Sequence, residues 1–284
     1  MRREFMVARL HMDLGLFETS IRKSKKEFIR ELLFELSREK ILLPSKRGKT
    51  LYFFGDVQEI SDDFLEGKIF RVHQKKVNTI EDLDAKELTE VIIPNAADYN
   101  RFYYHMNQML FFLEEKSIFR SSVLRYVIKN LIEEVIKRKK LEAIVDLNFL
   151  ASRKTFTERV LSLKRITSAR FVLVPSNPNR KKLWEELDKD MHESKVERRE
   201  IKDIARPGQS LDYKKGNTLG AECLYMVEDG YGEGEIRGED EDGTPVKVSS
   251  KESIEKVILD PEAPKESIIS ILKSFIIKLR KRNN

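Results

Sequence analysis

The stretch from Thr155 to Lys189 constrains the fold most, because four elements follow one another there with clear boundaries. Apolar periodicity predicts a helix, and a run of β-branched and aromatic residues that ends at Pro175 predicts a strand. A polar turn follows, and a second helix is predicted to begin near Arg180. A helix, a strand, a turn and a helix in this order favour a fold that mixes helices with a sheet.

The rest of the chain gives similar signals. Helices are predicted from Ser24 to about Arg38, with Ser24 and Glu27 forming a capping box, from Ser117 onward, and after Pro264. Strands are predicted at 5–14, 51–55, 67–72, 90–94, as a pair within 98–113, and at 141–147, 195–201 and 221–227. Residues 77–97 are otherwise expected to be irregular. We predict an α+β fold of mixed antiparallel sheets with packed helices, in two subdomains, 1–140 and 141–284.

Composition excludes several classes of protein. The single cysteine, Cys223, permits neither an internal disulfide nor a cysteine-based zinc site, and it fits a cytoplasmic protein. No window is apolar enough to span a membrane, so no membrane partner is expected. The chain has neither a phosphate-binding P-loop motif nor a paired-histidine metal motif, and no cofactor is expected.

The charge suggests a polyanionic partner. The net charge is +6 and the pI is about 9.1, a mild basic excess that suits nucleic acid. Basic residues cluster at 22–26, 46–49, 137–140, 180–182 and 278–282. Six of these cations are predicted to contact phosphates: Lys46, Arg47, Lys49, Arg180, Lys181 and Lys182. The last three stand where a helix begins, so that free amides and charge would act together. The alternative is that each cluster is a solvated face.

An enzymatic alternative rests on three residues. Asp98, Glu114 and Lys116 follow the order of the Asp…Glu-x-Lys nucleases, in which two carboxylates hold Mg²⁺ and the lysine positions water. Short patterns of this kind also arise by chance in chains rich in Glu and Lys. The aromatic residues at 102–104 and 111–112 could stack on bases, although core packing is the favoured interpretation.

The second half resembles the phage-exclusion DNA-binding proteins of the Rex A type from lambdoid prophages and related phage-defence proteins. The resemblance lies in the order of features: Phe156, Leu161, Leu163, Phe171, Pro175, Arg180, Lys181, Asp188, Ile201, Asp212, Tyr213, Lys215 and Gly216. It implies a dimeric, sequence-tolerant DNA binder that acts in phage exclusion. It carries no catalytic residue over to this chain.

Together these observations predict a cytoplasmic nucleic-acid-binding protein, with DNA as the expected ligand, that acts in antiviral defence. It would be a homo-oligomer or a subunit of a protein complex. The alternatives are the Mg²⁺-dependent nuclease and a subunit whose surface charges serve only solubility, while its partner is another protein.

Overall fold

A computed structural model describes residues 2–14, 24–39, 41–45, 48–82, 87–176, 182–213 and 218–281. The strands of this part of the chain are β1 (Arg3–Asp13), β2 (Leu43–Pro44), β3 (Thr50–Ser61), β4 (Phe64–Asp82), β5 (Glu87–His105), β6 (Leu110–Glu114), β7 (Ile144–Phe149), β8 (Arg165–Leu173), β9 (Arg199–Ile204), β10 (Gly232–Glu239), β11 (Pro245–Ser249) and β12 (Lys256–Leu259). The α-helices are α1 (Lys25–Glu39), α2 (Ser121–Arg138), α3 (Glu158–Leu161), α4 (Glu185–Glu193), α5 (Leu219–Glu228) and α6 (Lys265–Lys281).

The larger sheet has eight antiparallel strands in the order β12-β1-β6-β5-β4-β3-β2, and β7 pairs with the second half of β1. Successive side chains of β1 point to opposite faces of the sheet, and both faces are covered by packed helices. Met6, Ala8 and Leu10 pack into the apolar core that α1 and α2 complete. Phe5 and Val7 point the other way and pack with apolar residues of α6. The sheet is therefore buried on both sides.

Local sequence sets the start of α1 as predicted. The Ser24 hydroxyl accepts a hydrogen bond from the Glu27 amide at 3.3 Å. The Glu27 carboxylate in turn accepts from the Ser24 amide at 2.9 Å, which completes the capping box. Leu32, Leu33 and Leu36 then recur on the helix face that enters the core.

The smaller sheet has four antiparallel strands in the order β11-β10-β8-β9. Its core includes Phe171 from β8, the buried Trp184 and apolar residues of α5. Strand β9 is at an edge, and its exposed positions include Glu200 and Lys202. The charged edge strand expected at 195–201 therefore exists, but it begins at Arg199 and extends to Ile204.

A polar seam joins the two sheets. The Arg9 Nε atom donates to the Asp229 carbonyl oxygen at 2.6 Å, and the Arg9 guanidinium lies 4.8 Å from the centre of the Tyr231 ring. Gly230, with φ +78°, follows the end of α5 and turns the chain between Asp229 and Tyr231. His11 of β1 lies opposite Asp146 of β7 in the strand register. Polar groups are thus buried where the two sheets meet.

The predicted fold class, α+β with antiparallel sheets and packed helices, is confirmed. Three local predictions are wrong. Residues 77–82 and 87–97 are not irregular, because β4 and β5 continue there as a two-stranded ribbon, paired from Lys75 opposite Ile93 to Asp82 opposite Glu87. The long helix begins at Ser121 rather than Ser117, since a turn closes between the Phe119 amide and the Lys116 carbonyl oxygen.

The third error concerns residues 221–227, which were expected to form a strand. They lie in α5, whose N-cap Thr218 accepts a hydrogen bond from the Ala221 amide at 3.3 Å. Ala, Glu, Leu and Met in this run favour a helix, and a short buried apolar run cannot be assigned by periodicity alone.

Residue 140 is not where the two sheets separate. Strands β7 and β12, from the predicted C-terminal subdomain, both pair with β1 of the larger sheet. Helix α6 also packs against that sheet. The chain therefore leaves the larger sheet after β7, builds the smaller one, and returns.

A cationic cavity between the sheets

A cavity of about 440 Å³ opens at the seam between the two sheets. One wall comes from α2 and β7 of the larger sheet, and the other from β8, β10 and the turn at Ser250 and Lys251. Four cations line it, Arg125, Lys129, Arg198 and Lys251, together with two carboxylates, Asp146 and Glu233. The lining is therefore net positive.

The N-terminus of α2 faces this cavity with Ser121 and Ser122 in its lining. The N-cap residue, Arg120, makes no side-chain capping bond, and the first turn has no acidic residue. The amides of Val123 and Leu124 both donate to the Arg120 carbonyl oxygen. The two serine amides have no partner within the described residues, so the positive end of the helix dipole is uncompensated here.

A buried carboxylate organises the cations. Arg125 donates from Nη2 to both oxygens of Asp146 at 3.0 Å, and Arg198 reaches Oδ2 at 3.1 Å. Burial alone would raise the pKa of Asp146, but the adjacent Arg125 guanidinium and its hydrogen bonds bring it below its ordinary value. Asp146 is therefore ionised at neutral pH and fixes two guanidinium groups at the cavity wall.

Asn148 is the least satisfied group in this wall. Its Oδ1 atom accepts from Arg125 Nη2 at 2.9 Å, which assigns Nδ2 as the donor of the amide. The residue is 2% exposed, and Nδ2 has no hydrogen-bond partner. An unpaired buried donor costs about 1–3 kcal/mol, a penalty that pairing with an acceptor would remove.

The cavity rim includes further ion pairs. Glu233 contacts both Arg125 and Lys251, the latter at 2.9 Å, and Lys129 lies 3.6 Å from Glu133. Lys251 remains 67% exposed at its side chain. An exposed pair of this kind contributes little stability, and its lysine can turn to another anion at small energetic expense.

Four of the six cations predicted from sequence, Lys46, Arg47, Arg180 and Lys181, lie outside the described residues. Lys182 begins a short 3₁₀ turn, and nothing is described of its side chain. Lys49 is exposed, with no ion pair to the part of the chain that the structure describes.

Two neighbouring segments nevertheless reach the cavity. Pro44, two residues before Lys46, accepts a hydrogen bond at 3.4 Å from the hydroxyl of Tyr126, which lines the cavity. Val174, at the start of the segment that leads to Arg180, lines it directly. The stretch before Arg180 therefore borders the opening, and the stretch before Lys46 contacts one of the lining residues.

The three residues of the nuclease alternative lie elsewhere. Glu114 is 1% exposed, with Lys116 Nζ at 3.0 Å and Arg3 in direct contact. Burial opposes ionisation of Glu114, but the Arg3 and Lys116 hydrogen bonds lower its pKa below the ordinary value. Asp98 is 3.6 Å from Arg71. No group of three or more His, Cys, Asp or Glu side chains suited to a metal occurs among the described residues. The Mg²⁺ alternative stays a prediction.

The aromatic residues Phe102, Tyr103, Tyr104, Phe111 and Phe112 are all fully buried. Phe102 and Phe111 pack edge to face with ring centres 5.5 Å apart. Their assignment to the core is confirmed.

Sequence reasoning missed the cavity because its members are far apart along the chain. Arg125 and Asp146 are 21 positions apart, and Arg125 and Glu233 are 108 apart. One local signal was present. In β7, Asp146 and Asn148 alternate with Val145 and Leu147, which shows that one face of a short strand is polar. The sequence alone does not show that this polar face is buried.

Comparison with known proteins places the chain in a family. The model of the family described as a domain of unknown function, DUF4747, matches residues 17–277, and the chain belongs to that family. No curated protein matches the chain. Among the described residues, no helix is both long and apolar enough to cross a membrane.

Proposed function

We propose that this protein binds nucleic acid, with DNA as its main ligand, through phosphate contacts centred on the cavity between the sheets. The observation that carries this proposal is the meeting of the uncapped, acid-free start of α2 with four cations on one opening. Helix N-termini bind phosphate through free amides and the helix dipole. Lysine and arginine side chains add the salt-dependent attraction that dominates nucleic-acid affinity.

The site differs from the one that sequence suggested. In the proposed site, Arg125, Arg198 and Lys251 replace the loop cations as the central contacts. Asp146 forms ion pairs with Arg125 and Arg198 and offsets part of their positive charge. Lys129 and Lys251 are therefore the cations that a phosphate would recruit most easily. Contacts to phosphates do not distinguish one base from another, which fits a sequence-tolerant binder.

A polarisation titration tests the proposal. Labelled single-stranded and duplex DNA, and RNA of the same sequence, are titrated at several salt concentrations. We expect the logarithm of the association constant to fall with log salt with a slope of several units. A flat salt dependence contradicts the proposal.

A matched pair of lysines locates the contact. Lys251 and Lys247 each pair with a glutamate of β10, at 2.9 and 2.8 Å, but only Lys251 lines the cavity. Lys251→Gln should weaken binding and reduce the salt slope by about one, while Lys247→Gln leaves both unchanged. Equal effects of the two substitutions would move the interface away from the cavity.

The biological setting rests on the resemblance to phage-exclusion proteins, which also implies a dimer. Phage plating on cells with and without the gene tests the setting, and sedimentation tests the dimer. The same nucleic-acid samples, incubated with Mg²⁺ and then with EDTA, test the nuclease alternative through Glu114→Ala. Co-purification of another protein, with unchanged function after Lys251→Gln, would favour the partner-binding subunit.

A further inference from the structure

We propose that the cavity accommodates one nucleoside 5′-monophosphate unit, either the 5′-phosphorylated end of a strand or a free nucleotide. This inference rests on the proposed function and specifies the ligand of the same site. It combines three features of the cavity: its size, the helix start and cations in its lining, and the apolar residues and buried unpaired amide that the lining also contains.

The size of the cavity limits what can enter. Pockets for small molecules typically have volumes of about 300–1,000 Å³, and about 440 Å³ falls in the lower part of that range. A double helix cannot enter such a space, and a paired base is inaccessible unless it leaves the stack. A single terminal nucleotide is small enough to enter, and its base need not leave a stacked duplex. The cavity therefore favours a strand end over the interior of a duplex.

The start of α2 supplies the phosphate end. This helix has 18 residues, and its dipole is not opposed by an acidic residue in the first turn. Ser121 and Ser122 line the cavity together with Arg125. A terminal phosphate carries a charge of about −1.5 to −2 near neutral pH, whereas each internal phosphate carries one negative charge. A helix start and several cations in one lining therefore favour the monoester.

The remaining lining suits a base and a sugar. Phe149, Val172, Val174 and Ile254 contribute apolar surface next to the polar groups. Asn148 Nδ2 is an independent sign of a ligand, because it is a buried donor without a partner in a residue that lines the cavity. Bases and ribose offer several acceptors that could receive this hydrogen bond.

A competition experiment tests the inference. The full chain is titrated with 3′-labelled single-stranded DNA that carries either a 5′-phosphate or a 5′-hydroxyl. Unlabelled nucleoside 5′-monophosphates and inorganic phosphate serve as competitors. We expect the 5′-phosphate to improve affinity about tenfold, and the monophosphates to compete better than inorganic phosphate.

Two variants connect the preference to the cavity. Asn148→Asp keeps an acceptor for Arg125 but removes the donor, and it should abolish the advantage of nucleotides over inorganic phosphate. Ser122→Glu places a carboxylate in the exposed first turn of α2, where the dipole stabilises it, and it should remove the preference for the 5′-phosphate. Ser267→Glu makes the same change in the first turn of α6, outside this lining, and should leave binding unchanged.

The outcomes separate the inference from the proposed function. Salt-dependent binding that is equal for both oligonucleotides overturns the inference and leaves nucleic-acid binding intact. Binding of monophosphates without binding of either oligonucleotide supports the inference as a free-nucleotide site and overturns the proposed function. Competition by inorganic phosphate that equals that of nucleotides, or no binding at all, overturns the inference.

Discussion

Two buried carboxylates, Glu114 and Asp146, are held in similar ways in different surroundings. Each is at most 3% exposed, and each contacts two cations, Arg3 and Lys116 for the first, Arg125 and Arg198 for the second. In both cases the cations overcome the effect of burial and lower the pKa of the carboxyl group. Charge and burial alone therefore do not distinguish the two sites.

The difference lies in what surrounds each cluster. Glu114 also accepts from the Arg101 amide at 3.4 Å, and its cluster ties the ends of β1, β5 and β6 together. Asp146 faces a cavity that also contains the unpaired donor of Asn148 and the free start of α2. A paired buried carboxylate indicates a structural clamp unless an unpaired donor and a free helix start accompany it.

The largest expected effect comes from removing one guanidinium from each cluster. Arg125→Met leaves Asp146 and Asn148 without their main partner, so unfolding free energy should fall by about 3 kcal/mol and nucleic-acid binding should be lost. Arg3→Met should lower the unfolding free energy by only about 1–2 kcal/mol, because Arg3 is partly exposed and Lys116 still pairs with Glu114. Nucleic-acid binding should not change in this variant. Urea denaturation and polarisation measure both quantities. Loss of nucleic-acid binding in Arg3→Met would contradict the assignment of the Glu114 cluster to structure and of the Asp146 cluster to binding.

Acid should destabilise the protein before either carboxylate cluster is protonated. Burial lowers the pKa of His11 from 6.5 to about 4, and burial does the same for His105. Between these values the unfolded chain binds protons that the folded chain does not, so stability falls as pH decreases from 6.5 to 4. The loss should approach about 3 kcal/mol per histidine, at about 1.4 kcal/mol per pH unit.

His11 provides the variant for this prediction, since it lies opposite Asp146. His11→Gln should retain more of its stability at pH 4.5, relative to pH 7, than the unsubstituted protein. Both carboxylate clusters, with lowered pKa values, should lose their contribution only at lower pH. Urea midpoints across the pH range measure this. An unchanged pH dependence in His11→Gln would assign the effect to other groups.

The smallest expected effect comes from a substitution at the N-cap of α2, which tests whether this helix start binds the phosphate. Arg120→Asp supplies the missing N-cap acceptor and should raise stability by about 0.5–1 kcal/mol, while weakening nucleic-acid binding. Arg206→Asp makes the same charge change in an exposed turn and should affect neither quantity comparably. Thermal melts and polarisation measure the two. A variant that gains stability and keeps full affinity would exclude this end of the helix as the anion site.

How far sequence could predict the molecule depends on sequence separation. The Ser24 and Glu27 capping box and the amphipathic face of α6 were predictable because their partners are a few residues apart. The helix at 219–228 was not, because a short apolar run fits a buried strand or a buried helix equally well. The return of β12 to pair with β1 depends on backbone pairing that leaves no local pattern.

The site was less predictable than the fold. Basic clusters suggested a polyanion but could not show which cations meet. Arg198 and Asp146 are 52 positions apart, and only the folded chain places them in contact. Besides the polar face of β7, helix capping offered a local clue: Arg120 and two serines stand at the start of α2, and its first turn has no acidic residue. Such a start is a poor cap and a good anion site.

Nuclear magnetic resonance of ¹⁵N-labelled protein, titrated with adenosine 5′-monophosphate, tests the central claim most directly. The account predicts saturable shifts at the backbone amides of Ser121 and Ser122 and at the side-chain amide of Asn148. Amides around Glu114 and Arg3 should not move. Shifts confined to the Glu114 cluster or to other surfaces, or none at nucleotide concentrations that displace DNA, would contradict it.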